Sequence, residues 1–266
     1  MTTLVAGPRR STHTPALRLT FARLLRAEAI KILTLRSTWW SLGVTAALSV
    51  GISLLIALAT SDTGGAMAPT NVILAPTQFK MLVAGILGAI VVTGEYSTGM
   101  IRSTLTAEPR RGAVLLAKAI VVAVTVMATT VVIYAVALIL TLPLTNARVD
   151  WASPADSFVP LGLGVLSMAC FTLMGVGFGF LLRSGAGAIA VTVGVLFVLP
   201  IVLSLFSIAG PDWRWVVDAG TYLPVSAAAA VTQPGAQELL EPLLTLAGWV
   251  AGPLALGWIA LRTRDA

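Results

Sequence analysis

Charge is scarce in this sequence, and its scarcity sets the class. Only 11% of the 266 residues are Asp, Glu, Lys or Arg, where a soluble domain carries about 25%. No polar stretch is long enough to fold as a separate soluble domain. A single cysteine, Cys170, excludes a disulfide within the chain. The single histidine, His13, lies in a Thr/Pro/Gly/Arg-rich N-terminal stretch, so neither a histidine metal cluster nor a serine–histidine pair is available. The three lysines, Lys31, Lys80 and Lys118, follow Ile30, Phe79 and Ala117. The glycine–lysine step of a GxxxxGK[ST] phosphate loop is therefore missing, and the chain cannot bind ATP in that manner. The reading is of a protein with no catalytic constellation and no cofactor of its own.

What is present is uncharged length. A helix rises 1.5 Å per residue, so about 20 apolar residues cross a hydrocarbon core of about 30 Å. Six stretches qualify, at about 38–61, 76–96, 119–142, 158–182, 184–210 and 242–261. The expected fold is an all-α membrane protein of six transmembrane helices, with residues 16–266 as one domain after a disordered tail at 1–15. The first apolar stretch is longer and later than a cleaved signal would be, and is read as a retained helix.

The few charges are sorted. With six alternating spans and a cytoplasmic N-terminus, 14 of the 17 basic residues fall inside, leaving Lys80, Arg148 and Arg214 outside. Seven of the 11 acidic residues fall outside. That is the positive-inside pattern, so both termini are placed in the cytoplasm and the net charge of +6 is read as a topology and lipid-surface signal rather than a nucleic-acid footprint. Lys80 is placed in the first turn of span two, where it can snorkel outward. No span carries Asp, Glu, Arg or His near its middle, which argues against an ion-coupled pump.

Before span one, Leu17, Phe21, Leu24, Leu25, Ile32 and Leu35 recur at helical spacing among Arg18, Arg23, Arg26, Lys31 and Arg36. The pattern predicts an amphipathic helix lying in the membrane interface, with Glu28 and Lys31 paired on its surface and Trp39 and Trp40 at the headgroup boundary. Glycines at the GxxxG spacing, Gly175–Gly179 and Gly248–Gly252, predict close helix packing within one subunit or between two. Pro200 and Pro253 should kink or locally open their helices. The segment Pro211 to Glu241, with Trp213, Trp215, Tyr222 and an alanine run at 227–230, should lie on or dip into the outer leaflet.

The most specific segment joins spans two and three. It reads Gly94-Glu95-Tyr96, Gly99, Ile101-Arg102, Thr104-Leu105, Pro109 and Arg111, and ends at Lys118. This resembles the G-E-Y-x-x-G-x-I-R-x-T-L-x-x-x-P-x-R pattern of permeases in the type 2 class of ATP-binding cassette (ABC) exporters. The stretch from Glu28 and Lys31 through Arg36 to Trp39 and Trp40 resembles that family's entry helix. Met100 stands where the family often has Thr. The resemblance implies a multi-pass permease of the plasma membrane, working as a dimer with a second copy or paralogue. It also implies a partner ABC ATPase, which would hold ATP and magnesium. Residues Glu95, Tyr96, Gly99, Arg102, Thr104, Leu105, Pro109 and Arg110 would form the coupling loop docked on that ATPase. Glu28, Lys31, Arg36 and Trp39 would belong to the entry helix. Within the loop, Gly94 and Gly99 loosen the helix end, Thr104 and Leu105 offer an apolar contact, and Glu95 is expected to pair with Arg102 or Arg36. A lipophilic substrate suits the uncharged spans. Two other readings remain: a secondary transporter or channel, which would move solute without an ATPase, and a membrane-embedded sensory or immunity protein, which would move none.

Overall fold

A computed structural model describes residues 20–62, 67–145 and 153–264, without the side chains of Asp62 and Pro154. The tail expected at 1–15, with His13, lies outside the described residues, as do Arg18 and Asp150. Among the described residues the chain is helical throughout. Helix α1 is Phe21–Thr34, α2 is Arg36–Asp62, α3 is Pro69–Leu74, α4 is Thr77–Ser97, α5 is Met100–Ala107 and α6 is Arg111–Thr141. Then come α7 at Pro154–Leu182, α8 at Gly185–Val193, α9 at Leu199–Leu205, α10 at Arg214–Ala219, α11 at Pro224–Val231 and α12 at Leu240–Thr263. Six helical stretches are long and apolar enough to cross a membrane: Arg36–Ser61, Thr77–Ser97, Arg111–Thr141, Ala155–Leu182, Gly185–Ile208 and Leu240–Thr263. The third starts eight residues earlier than the sequence reading placed it, which puts Lys118 two turns inside a helix.

Helix α7 is the hub. It packs against α4, α12 and α6, and 72% of its most apolar stretch is buried, against 11% for the Gly185–Ile208 span. Small residues allow this. A Cβ added to Gly175 would lie 2.0 Å from the Gly85 carbonyl oxygen, and one added to Gly88 would lie 2.1 Å from that of Thr172. The α4 and α7 backbones therefore touch where glycines face each other, as the Gly175–Gly179 spacing predicts. On the other face, Gly177 meets Pro253 of α12. Gly248 and Gly252 differ: among the described residues nothing lies within 4 Å of either added Cβ, so this pair makes no close packing there. Phe171, Met168, Met174 and Leu196 fill the central core. Threonines in the spans, such as Thr130, Thr172 and Thr192, donate to the carbonyl four residues back. They are satisfied locally and carry no chemistry. The outward surface is apolar, with Leu55, Val124, Ile139, Leu244 and Ile208 all well exposed, as lipid contact requires.

Proline acts differently in the two spans where a kink was expected. Pro200 lacks the N–H that would bond the turn before it, and a π-helical turn at Gly194–Val198 precedes it. Helix α12 runs unbroken through Pro253, whose ring is buried on Gly177.

Lys80 lies in the first turn of α4 but does not reach outward. It is 3% exposed, donates to the Ile73 carbonyl of α3 at 3.2 Å, and sits 4.2 Å from the centroid of the Tyr134 ring. The short helix α3 covers it and supplies the acceptor that a snorkelled lysine would find in the headgroup layer.

Candidate functional site

Helix α1 begins at Thr20, whose hydroxyl accepts from the Arg23 N–H at 3.4 Å. It ends at Leu35, in extended conformation, and Trp39 of α2 donates to the orphan Leu33 carbonyl at 2.9 Å. Leu24, Glu28 and Ile32, one stripe at four-residue spacing, are buried, and α1 packs against α6. Phe21, Ile30, Leu33 and Leu35 face outward. The structure thus turns Glu28 away from the surface where the Glu28–Lys31 pair was expected.

Glu28 enters a closed ring of charges. Lys31 Nζ donates to Glu28 Oε1 at 2.7 Å and to Glu95 Oε1 at 2.8 Å. Lys118 Nζ donates to Glu28 Oε2 at 2.7 Å and to Glu95 Oε1 at 2.8 Å. Thr104 of α5 accepts a further bond from Lys31 at 3.3 Å. Two carboxylates and two ammoniums cancel, and four elements, α1, α4, α5 and α6, are tied at one point. Glu28 and Lys118 are each 1% exposed. Burying such charges costs several kcal/mol per ion unless partners surround them, and here they do. Burial alone would lower the Lys31 pKa, but the hydrogen bonds and charges of Glu28 and Glu95 outweigh it and hold it above the ordinary lysine value. Glu95 takes both ammoniums on one oxygen, and Oε2, although buried, has no hydrogen-bond partner.

The partners of Glu95 are therefore Lys31 and Lys118, not Arg102 or Arg36. Both arginines lie on the exposed surface. Lys118 escaped the sequence reading as a site residue because it was taken as the boundary of an apolar run. The signal available was an ionisable side chain with seven residues of helix before it.

The rest of the loop is built around α5. Gly99 has φ +70°, the left-handed conformation that lets the chain reverse between α4 and α5 at no steric cost. Gly94 lies inside α4, which continues to Ser97. Ile101 is buried, and Leu105 packs between Leu24, Val114 and Leu115 rather than facing outward. The outward face of α5 is Met100, Arg102, Ser103, Thr106 and Ala107. Tyr96 points into the bundle, edge-on to Phe180 at 6.5 Å, with the Arg183 guanidinium 5.2 Å from its ring. Pro109 is exposed in the turn before α6. Arg110 folds back on Glu108, donating Nε to Oε1 at 2.8 Å and Nη2 to Oε2 at 3.0 Å. That pair holds the Glu108 carboxyl below its usual range. Glu108 was not singled out from sequence.

Two arginines close the same end. Arg183 Nη2 donates to the Ala260 carbonyl at 2.9 Å, and Arg111 Nη1 donates to that of Leu261. Cations thus meet the last carbonyls of α12, where the helix dipole favours them. Among the described residues no three His, Cys, Asp or Glu side chains gather to hold a metal ion. The ring clamps a short, outward-facing helix, α5, to three longer ones, α1, α4 and α6.

A family model described as ABC-2 family transporter protein matches residues 24–206. The match spans α1 through α9 and includes every member of the charge ring. No curated protein matches the sequence.

Proposed function

Because the chain belongs to the ABC-2 transporter family, and is thereby a membrane transport permease, we propose that it is the membrane-spanning subunit of an ATP-driven exporter. In this reading ATP and magnesium are bound by a separately encoded ABC ATPase. Two permeases, identical or paralogous, assemble with two such subunits in the plasma membrane. The end of the bundle holding α1, α5 and the ring faces the cytoplasm, as the basic residues of the sequence favour. Helix α1 lies in the inner interface, where its outward Phe21, Ile30, Leu33 and Leu35 meet lipid.

The observation that carries this reading is the neutral ring of Glu28, Lys31, Glu95 and Lys118. An ATPase that closes on ATP presses on the exposed side of α5, at Met100, Ser103 and Ala107. Thr104, Ile101 and Leu105 on the inner side pass the displacement to α1, α4 and α6. Separating one charge from the ring would cost about 3–5 kcal/mol, so the four elements move together rather than slide past one another. The pathway opens where two permeases meet, and the lack of charge near the middle of the spans suits a lipophilic substrate.

The test is flux of a lipophilic dye across proteoliposomes. The chain alone should give none, and the chain with its ATPase and ATP should export it. Glu95→Gln complexes that assemble should show ATP-driven flux cut by more than about tenfold, equivalent to ~1.4 kcal/mol of lost coupling. Flux through the chain alone, or full flux in the assembled Glu95→Gln complex, would overturn the proposal.

A further inference from the structure

Two clefts open side by side at the end of the bundle away from the charge ring. One, of about 580 Å³, lies between α9, α10, α11 and the start of α12. The other, of about 700 Å³, lies beneath the approach to α12. Both volumes are in the range of small-molecule sites. Tyr222, Glu241 and Thr245 line both and form the wall they share.

The chemistry of the first cleft is one-sided. Its apolar walls include Pro200, Leu203, Val217, Leu223, Ala227 and Ala230. Every serine and threonine hydroxyl lining it is already spent as a donor. Ser204 donates to the Ile201 carbonyl, Thr221 to Asp218, Ser226 to Gly220 and Thr245 to Glu241. The Glu241 carboxylate beside the Tyr222 phenol pushes its pKa up. What these groups still offer is lone pairs. No lysine or arginine lines either cleft among the described residues, and Glu238 adds a second carboxylate to the other. The Trp249 indole donates to the Tyr222 carbonyl at 2.8 Å, which fixes the backbone that carries the ring. A held aromatic ring beside two carboxylates, in apolar clefts whose serine and threonine donors are spent and whose remaining amide donor, Gln237, is neutral and lines only the second, selects a cation with greasy substituents.

We propose that the clefts sharing Tyr222 and Glu241 bind a lipophilic organic cation, an amphipathic amine or a quaternary onium ion, at the exit side of the permease. This rests on the export reading and narrows its substrate class. A phosphatidylcholine headgroup carries a similar cation, but its phosphate would meet Glu241 and Glu238, so the free cation is the occupant.

The test is equilibrium dialysis of tetraphenylphosphonium against the full chain in phosphatidylcholine nanodiscs, with empty nanodiscs as the reference and no nucleotide present. Saturable binding above the reference is expected. Tetraphenylborate, the same size with opposite charge, should not saturate. Glu241→Gln should weaken phosphonium binding at least about tenfold. Tyr222→Ala should weaken it about three- to tenfold, while Tyr222→Phe, which keeps the ring, stays within about threefold. Equal saturation by both ions, or by none, overturns the proposal. So does unchanged affinity in Glu241→Gln. The comparison of the two ions needs only the unmodified protein, so it stands whether or not the variants fold. Failed binding with intact ATP-driven dye export sinks the cleft and spares the permease reading. Binding without such export does the reverse.

Discussion

The two ends of the bundle are fastened by different physics. At the α1 end, charges are buried and matched: Glu28, Lys31, Glu95 and Lys118 close a ring, Glu108 holds Arg110, and Arg111 and Arg183 cap α12. At the other end the ties are neutral or diffuse. Ser53 donates to the Val72 carbonyl, Ser226 to Gly220 and Trp249 to Tyr222, and Lys80 rests on the Tyr134 ring. Buried matched charges are stiff, because each displaced partner leaves another unsatisfied. Neutral hydrogen bonds contribute about 0.5–1.5 kcal/mol each and can be exchanged one at a time. One end is suited to transmitting a push without loss, the other to rearranging around something that passes.

The sharpest way to break this contrast is Lys118→Met. It leaves Glu28 and Glu95 facing each other with only Lys31, and should destabilise the protein by about 3–5 kcal/mol in a detergent melt. Adding Glu95→Gln to it should recover a large part of that loss. Next comes the packing between the ends. Gly88→Ala drives a methyl onto the Thr172 carbonyl and should cost about 1–3 kcal/mol. Gly252→Ala, in open space, should change stability by less than about 0.5 kcal/mol. A similar loss in both would mean that α12 packs against something outside this chain. Thr104→Val removes one hydrogen bond of the ring's outer edge and should cost less than about 1.5 kcal/mol, with a larger effect on coupled transport than on the melt. The smallest effect is in pH. The Lys31 pKa is raised in the folded state, so its contribution is complete below the ordinary lysine value of 10.5 and is lost as pH rises through the higher folded value. The melting temperature should be insensitive to Lys31 protonation near neutrality and fall on the alkaline side, and Lys31→Met should flatten that alkaline fall.

The six crossings were legible because apolar length is a one-dimensional property, and most boundaries moved by only a few residues. The segment between α4 and α6 was legible from its motif, including the turn at Gly99. The ring was not. Glu28 and Lys31 announce a pair at three-residue spacing, but spacing does not say which face of α1 meets α6. Lys118 and Glu95 are 23 residues apart and are joined only by the way α4 and α6 lie together. The two GxxxG pairs share the same spacing, yet one sits where backbones touch and the other faces open space, since close approach depends on the neighbour and not on the glycines. Lys80 was misjudged because α3, a single six-residue helix, is too short to register in a hydropathy pattern.

The central position of α7 has a consequence for how the protein is made. Synthesis runs from the N-terminus, so the charge ring, drawn entirely from residues 28–118, can neutralise itself while the ribosome is still producing the second half of the chain. Helix α7 has to wait longer. One of its faces docks on α4 at once, but the groove at Gly177 is filled by Pro253 and Leu254 of α12, which are translated well after it. Until then that groove stands open to lipid or to the insertion machinery, and a chain interrupted before α12 would leave the membrane holding a half-covered hub for quality control to find.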